Sequence, residues 1–308
     1  MAKASEQVAA KVQAWRERGD ILRLKGQDIF VVDEGGAEHP VLLLIHGFPT
    51  SSYDWEPMWS TLSQHFRVIA LDMLGFGFSD KPKERSYTIH GQADFVEALL
   101  REKSVGEFHM LAHDYGDTVG QEILARQNEG KGAGKLLSAC FLNGGLFPET
   151  HHALLTQKLL LSPLGRFVNA LAGYGRFKKN FSSVFGPETK PTEDELQAFW
   201  AIINTHEGKH VFHNCITYMH DRLKHRERWV KALQEPLCTL ALINGSVDPV
   251  SGAHMVARYK ELNCQLDYLA ELPAIGHYPQ VEDPVAVAQH YLQFVDSCCE
   301  LGGLTNGS

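Results

Sequence analysis

The amino-acid sequence predicts an α/β fold: a mostly parallel sheet with helices on both faces and a helical lobe inserted into the sheet domain. Continuous apolar runs bounded by glycine or polar turns recur along the chain, which is typical of strands buried on both faces. Amphipathic stretches separate these runs, and such alternation favours an open parallel sheet. Between about residues 146 and 234 no such run occurs, and a loop this long is uncommon in a compact domain.

The predicted elements follow in chain order. Residues 1–19 have the pattern of an amphipathic helix, and residues 21–35 that of a hairpin turning at Lys25 and Gly26. Buried parallel strands are predicted at 41–48, 67–73, 108–114, 137–145 and 237–246, with a further strand before residue 277. Helices are predicted at 53–65, 87–103, 117–128, 252–263 and 284–299. The core domain would comprise residues 1–145 and 235–300, with a helical lid at 146–234 and a disordered tail at 301–308.

Composition narrows the class of protein. The chain of 308 residues is 44% hydrophobic and 21% charged, and its net charge of −8 argues against a nucleic-acid surface. The N-terminal segment lacks the apolar stretch of a signal peptide, and no run of about 18 apolar residues follows it. The six cysteines form no CxxC pair, which indicates reduced thiols. We therefore expect a cytoplasmic protein with no nucleic-acid partner and no integral membrane segment.

The stretch FHMLAHDYGDTVG places Asp114 at a strand-to-helix turn. The small residues Ala112 and Gly116, two positions before and after it, relieve the crowding of a strained turn that lifts residue 114 above the sheet. This pattern predicts that Asp114 is a nucleophile. Two alternatives exist at this point. First, Asp114 could be a helix N-cap, a position where aspartate is common. Second, Asp117 competes for the role of nucleophile. The residue two positions before it is the large Tyr115 and not a small residue, so Asp117 is better explained as a first-turn helix acid.

A second motif, HGFPTSSYDW, follows the strand predicted at 41–48. A turn of this type can aim a backbone N–H at the same point as the Asp114 turn. Two such donors bind the oxyanion that forms when an ester carbonyl is attacked. The predicted donors are the N–H groups of Phe48 and Tyr115, and His46 is interpreted as a structural hydrogen-bonding residue.

Two polar residues follow late strands. INGSVDPV places Asp248 directly after a buried strand, and AIGHYPQVEDP places His277 in a loop after a further one. The chain order of nucleophile, acid and histidine then becomes Asp114, Asp248 and His277. Asp248 would hold one ring nitrogen of His277, which leaves the other nitrogen free to take a proton from water.

These residues, together with LDMLGFGFSDKP at 71–82, resemble the α/β-hydrolase superfamily, and within it the epoxide hydrolase and haloalkane dehalogenase branch. The resemblance extends from about residue 21 to 296. It implies an eight-stranded, mostly parallel sheet with an inserted helical lid. It also implies the catalytic triad of Asp114, Asp248 and His277, with Asp114 as nucleophile.

An aspartate nucleophile limits the reaction. A carboxylate is poorly suited to acyl transfer, because the product would be a high-energy anhydride, but it is well suited to backside attack on an sp³ carbon. The predicted function is therefore opening of an epoxide through an alkyl ester on Asp114, giving a vicinal diol. Release of halide and alcohol from a haloalkane is the alternative. The expected partners are a small hydrophobic substrate and water.

The leaving group distinguishes the two reactions. In the branch that the chain resembles, epoxide hydrolases use two lid tyrosines as acids, and dehalogenases have a tryptophan directly after the nucleophile. Here Tyr115 follows the nucleophile and Phe48 occupies the HG-x-P position, which favours an epoxide. Tyr218, in NCITYMHDR, matches the second lid tyrosine. No residue matches the first. The alternatives are that His151, His152 or Lys158 takes its place, or that the single tyrosine suffices.

Neither a metal nor a cofactor is predicted. The spacing of three lid histidines, His206, His210 and His213, would place them on one helical face and could bind a metal. No nearby acid completes the set, so exposed histidines are the preferred interpretation. A non-catalytic binding protein with a hydrolase fold is the alternative of a different class, and the complete triad argues against it.

Overall fold

The computed structural model describes residues 5–152, 155–162, 165 and 173–305, without the side chains of residue 156 and residues 299–305. Its centre is one eight-stranded sheet in the order β1-β2-β4-β3-β5-β6-β7-β8. Neighbouring strands from β4 to β8 are parallel, whereas β1, β2 and β4 pair antiparallel. The predicted fold class is confirmed. The strands are β1 (Gly19–Leu24), β2 (Gln27–Glu34), β3 (Val41–Ile45), β4 (Arg67–Leu71), β5 (Glu107–His113), β6 (Lys135–Leu142), β7 (Thr239–Gly245) and β8 (Tyr268–Leu272).

Helices cover both faces of this sheet and fill the insertion. In chain order they are α1 (Glu6–Arg18), α2 (Glu56–Leu62), α3 (Ile89–Glu102), α4 (Tyr115–Asn128), α5 (Leu155–Leu161), α6 (Tyr174–Ser182), α7 (Glu193–Ile203), α8 (Phe212–Cys215), α9 (Tyr218–Lys224), α10 (Arg226–Gln234), α11 (Ala253–Glu261), α12 (Pro279–Glu282) and α13 (Pro284–Thr305). Helices α5 to α10 lie between β6 and β7, and the described part of that segment contains no strand. The lid boundaries at 146 and 234 remain a prediction.

Alternating side chains of the central strands build two cores. In β3, Leu43 and Ile45 pack into a cluster that includes apolar residues of α3 and α4. Leu42 and Leu44 point to the other face and join residues of α2 and α13. A strand buried on both faces needs apolar residues at every position, which is why these strands are continuous apolar runs in the sequence.

Two local features differ from the simplest sequence pattern. Helix α13 continues to Thr305, five residues into the segment predicted as a tail, and the division of the chain at residue 300 stays a prediction. Residues 306–308 lie outside the described part. The helix predicted to carry the three lid histidines is interrupted, since His206 and Glu207 have φ angles of 50° and 55°.

Two further observations concern the cysteines and the length and hydropathy of the helices. Four of the described cysteines, Cys140, Cys215, Cys238 and Cys264, are free thiols. Within the described residues, no helix is both long enough and apolar enough to cross a membrane.

Candidate active site

Asp114 occupies the sharp turn between β5 and α4. Its backbone has φ 48° and ψ −104°, a conformation that is rare for a residue with a side chain and costs about 1–3 kcal/mol. The turn packs tightly against the end of β3. Only glycine fits at position 116, since a Cβ atom there would collide with the carbonyl oxygen of Ile45. A strained turn at the end of a central strand therefore holds Asp114 at the carboxyl edge of the sheet.

The Asp114 carboxylate does not cap α4, although it stands at the N-cap position. Its Oδ2 instead accepts a hydrogen bond of 3.0 Å from the N–H of Phe48. Burial alone would raise the pKa of Asp114, but the charges of His277 and Arg222 and the Phe48 N–H hold it below its ordinary value. The geometry therefore favours a buried carboxylate anion over a helix cap.

Asp117 lies in the first turn of α4, as the sequence predicts, and is fully buried. Burial and the charge of Asp114 raise its pKa well above its ordinary range. A Cβ atom on Gly144 would collide with its carboxylate, so the chain after β6 closes over it. A fully buried carboxyl group with a raised pKa and no open space beside it does not suit a nucleophile.

His277 follows β8 in the loop that leads to α12. Its Nδ1–H donates to Oδ2 of Asp248 at 2.8 Å, and its Nε2 lies 3.9 Å from Oδ1 of Asp114. Burial lowers the pKa of His277, but the two carboxylates and the hydrogen bond to Asp248 raise it to about 9. The ring is thus an imidazolium between two carboxylates as long as Asp114 is ionised. The three residues of the predicted triad are brought together.

Asp248 is held by donors from two segments. Its carboxylate accepts the N–H of Val250 at 2.7 Å, the hydroxyl of Ser251 at 2.8 Å and the amide of Asn143 at 3.1 Å. Burial raises the pKa of Asp248, yet His277, the Val250 N–H and the Ser251 hydroxyl lower it below its ordinary value. Sequence analysis missed Asn143, although the polar NGG directly after a strand was a signal that this edge of the sheet carries function.

Two further residues that sequence analysis missed fix the loop of His277. Glu282 accepts the N–H groups of Gly276 at 2.9 Å and Tyr278 at 3.0 Å. His113 donates its Nε2–H to the carbonyl oxygen of His277 at 2.7 Å. The sequence offers little signal for either residue, because their partners are backbone groups, which every residue carries.

The predicted oxyanion site has one donor in place. The N–H of Phe48 already binds Asp114, and Tyr115 is the first residue of α4, so its N–H has no acceptor within the helix. His46 supports the turn after β3. Its Nδ1–H donates to the carbonyl oxygen of Gly47 at 2.8 Å, and its Nε2 accepts the N–H of Met73 at 3.0 Å. These bonds agree with the structural role inferred for His46.

A cavity with about 930 Å³ of empty space lies between the sheet edge and the lid. Asp114 and His277 are among the core residues that line it. Its described lid wall is largely apolar and includes Leu160, Phe177, Phe181, Trp200 and Phe212. An apolar cavity with few polar groups at its base is typical of a site for a small hydrophobic ligand.

Tyr218 is the first residue of α9 and is fully buried. Its ring centroid lies 4.6 Å from that of Tyr115, and the Arg222 guanidinium lies 4.5 Å above it. Its hydroxyl has no hydrogen-bond partner among the described residues, and it is not one of the described residues lining the cavity. Burial and Asp114 raise its pKa, and Arg222 opposes the increase. The role of Tyr218 as an acid remains a prediction.

The three alternatives for the first donor are placed differently. His151 hydrogen-bonds Arg222 at 3.2 Å, and the charge of Asp114 affects its pKa. His152 is exposed and stacks on His254 with ring centroids 4.4 Å apart, and Lys158 is exposed on α5.

In the described part of the chain no three His, Cys, Asp or Glu side chains form a group that could hold a metal.

Comparisons with known proteins agree with this architecture. A family profile described as the alpha/beta hydrolase fold matches residues 40–162. The mouse mesoderm-specific transcript protein is 40% identical over 304 residues, covering 94% of this chain and 90% of its own. The sequence motifs HGFPTSSYDW and HDYGDTVGQE predict a resemblance to that protein, and the comparison confirms it.

More distant relatives extend the comparison. A putative hydrolase, LipZ, of Mycobacterium tuberculosis is 34% identical over 284 residues and covers 92% of this chain and 98% of its own. The crystal structure of the haloalkane dehalogenase DbeA from Bradyrhizobium elkani superposes with a TM-score of 0.77 at 20% identity, covering 92% of this chain and 99% of the other. That likeness concerns the fold alone. The chain therefore belongs to the α/β-hydrolase family.

Proposed function

We propose that the protein hydrolyses epoxides through a covalent alkyl ester on Asp114 and releases a vicinal diol. The observation that carries the proposal is the buried, ionised carboxylate of Asp114 at an apolar cavity, with His277 3.9 Å from it. A carboxylate here suits attack on an sp³ carbon, because attack on an acyl group would give an anhydride. The triad arrangement alone does not define the class of substrate. The aspartate at the nucleophile position favours a substrate that is attacked at an sp³ carbon.

In the first half-reaction the oxygens of Asp114 have different roles. Phe48 N–H binds Oδ2, so Oδ1 is the oxygen left to attack the epoxide carbon. As the new bond to Oδ1 forms, the carbon–oxygen bond of the epoxide breaks and its electron pair stays on the ring oxygen. Tyr218 gives that oxygen a proton. This assignment makes Tyr218 an acid and not a structural residue.

In the second half-reaction His277 acts as a base. Esterification removes the negative charge of Asp114, which is one of the causes that raise the pKa of His277. The imidazolium can then lose its proton, and Nε2 can activate a water molecule for attack on Cγ of Asp114. The resulting oxyanion forms on Oδ2, at the N–H groups of Phe48 and Tyr115, while Asp248 stabilises the returning imidazolium. Collapse of this intermediate breaks the bond between Cγ and Oδ1, and Oδ1 leaves with the diol and takes a proton from His277 Nε2. Asp114 regains its carboxylate, with one oxygen from water.

The alternative reaction, halide release, has weaker support. The likeness to the dehalogenase DbeA is at 20% identity, so it describes the fold and does not select a substrate. Tyr115 stands directly after the nucleophile, where the resemblance implies a tryptophan in dehalogenases. The protonated group that an alkoxide needs is available in Tyr218, and a halide would not need it.

The test traps the ester. His277→Gln should form the ester and fail to hydrolyse it, so incubation with a small epoxide panel should add the mass of one epoxide to the peptide that contains Asp114. In a single turnover of the parent protein in ¹⁸O-water, the label should enter the Asp114 carboxylate and not the diol. Intact-protein and peptide mass spectrometry measure both results.

Controls separate the competing functions. His290→Gln, on the outer helix α13 with its ring bonded to Tyr268, should turn over like the parent. Adducts from bromoalkanes together with none from epoxides would assign a dehalogenase instead. If Asp114→Ala retained full turnover, the covalent route would be wrong. Tight ligand binding with no adduct from either panel would indicate a binding protein.

A further inference from the structure

The carboxylate of Glu282 joins the loop of the triad histidine to the chain that follows helix α6. On the loop side it accepts the N–H groups of Gly276 at 2.9 Å and Tyr278 at 3.0 Å. On the other side it accepts the N–H of Gly186 at 2.8 Å and the hydroxyl of Thr189 at 2.5 Å. One side chain therefore satisfies four donors, two from each segment.

The two segments also touch through their backbones. The N–H of His277 donates to the carbonyl oxygen of Val184 at 2.9 Å. A Cβ atom on Gly276 would lie 2.4 Å from that oxygen, so glycine at this position allows the close approach. The place of the His277 backbone therefore depends on the segment of residues 184–189.

Segment 184–189 also contributes to the wall of the cavity. Val184 lines the cavity, as do His277 and Tyr278 of the loop. The ring of Phe185 stacks on the ring of Tyr278, with centroids 5.1 Å apart and an angle of 9° between the ring planes. The segment that faces the ligand cavity is thus packed directly against the loop that carries the histidine.

We propose that Glu282 is a positioning residue that holds His277 where it activates water, and that it does so only while segment 184–189 is docked on the His277 loop. The inference rests on the proposed epoxide hydrolysis. Attack on the ester needs a water molecule between the imidazole and Cγ of Asp114, and a displacement of the ring by about 1 Å can slow such a step about 10²-fold. Ester formation needs no proton transfer by His277, so it depends less on the loop.

The first experiment measures the two half-reactions separately by rapid-quench mass spectrometry. Thr189→Val removes the hydroxyl donor and keeps the size of the side chain. It should slow ester decay about tenfold and change ester formation by less than about twofold, since a hydrogen bond to a charged group contributes roughly a factor of ten. Thr189→Ser retains the hydroxyl and should decay like the parent. The matched control is Ser183→Ala, whose exposed hydroxyl bonds to the carbonyl oxygen of Asn180, and it should change neither rate.

Glu282→Gln distinguishes the position of the ring from its charge. The amide leaves one acceptor oxygen for four donors, so ester decay should slow at least as much as in Thr189→Val. Burial lowers the pKa of His277, and carboxylates that include Glu282 raise it, so the substitution should lower that pKa and by itself favour the neutral base. Slower decay in spite of this change in pKa would assign the effect to the position of the ring.

The second experiment does not depend on activity. The N–H of His277 bonds to Val184 across the two segments, so its hydrogen-exchange rate in the resting protein measures their docking. Thr189→Val should raise that rate about tenfold, while the amides of the central strand β5 keep the parent rates. Thr189→Ser should exchange like the parent. NMR of the backbone amides measures these rates.

Each outcome supports or overturns the inference. Equal slowing of ester formation and decay in Thr189→Val, or decay at the parent rate, would overturn the positioning role. Decay in Thr189→Ser as slow as in Thr189→Val would overturn the assignment to the hydroxyl bond. If the parent forms no ester with any epoxide, the proposed function fails. Faster exchange of the His277 amide in Thr189→Val would then still support the coupling of the two segments, and an unchanged rate would overturn it.

Discussion

At the scale of single residues, the site is defined by charges that depend on one another. His277 is protonated because Asp248 and Asp114 are anions, and Asp114 is an anion partly because His277 and Arg222 are cations. In the proposed reaction, alkylation of Asp114 would remove one charge from this set. The same imidazole would then stabilise the Asp114 anion before alkylation and serve as a base afterwards.

The pH dependence of ester decay tests this coupling. The pKa of free His277 is about 9, and loss of the Asp114 charge must lower it. Hydrolysis needs the neutral ring, so the rate of ester decay should rise with pH through a midpoint below about 9. Rapid-quench mass spectrometry gives the decay, and NMR titration of the His277 ring gives the free value. A midpoint at or above the pKa of His277 in the unalkylated protein would contradict the coupling between the charges of Asp114 and His277.

Replacement of the triad acid gives a second prediction at this scale. In Asp248→Asn the pKa of His277 should fall, because the carboxylate that raises it is gone. Ester should still form on Asp114, and its decay should slow by about 10²–10⁴-fold, since the ring loses its orientation and its counter-charge. Rapid-quench kinetics and ring titration measure the two effects. Asp20→Asn, an exposed change on β1, should alter neither.

At the scale of elements, the site depends on how closely α4 approaches β3. The Asp114 turn has its unusual backbone because Gly116 packs against the backbone of Ile45. The carboxylate then meets Phe48 N–H, which comes from the turn after β3. Close packing of one helix start against one strand therefore sets the distance between nucleophile and oxyanion donor.

Gly116→Ala tests this packing. The added methyl group would collide with the backbone oxygen of Ile45, so helix α4 must move or strain must accumulate. We expect a loss of about 1–3 kcal/mol in the free energy of unfolding, together with a large loss of ester formation at Asp114. The matched control is Gly106→Ala, where a Cβ atom meets nothing within 4 Å. Equal effects of the two changes on denaturant unfolding would refute the argument.

At the scale of the whole molecule, one buried acid joins the core to the last helix before β7. Glu122, on α4, is 1% exposed and accepts hydrogen bonds from Arg126 at 2.9 Å, Arg228 at 3.0 Å and Trp229 at 2.8 Å. The latter two residues belong to α10. Helix α4, which begins directly after Asp114, therefore also anchors the segment inserted between β6 and β7.

Glu122→Ala should destabilise the whole protein by about 2–3 kcal/mol, because it leaves partly buried arginines and an indole N–H without their acceptor. Thermal or urea unfolding measures the loss. Lys231→Ala on the same helix α10 removes an exposed pair with Glu235 and should change stability by no more than about 0.5 kcal/mol. A Glu122→Ala protein as stable as the control would show that this network does not hold the two parts together.

The sequence by itself determined the strands, the turn at Asp114 and the order of the triad. These features depend on local patterns: apolar runs for doubly buried strands, small residues around a strained turn, and polar residues directly after strands. Only the tertiary structure decided which groups tune the site. Asn143 reaches Asp248, Glu282 binds backbone of the His277 loop, and Arg222 joins His151 to Asp114. The physical reason is that the contacts of Asn143 and Arg222 depend on distances between segments far apart in the chain, and that Glu282 binds backbone N–H groups, which every residue carries and which therefore leave no pattern in the sequence.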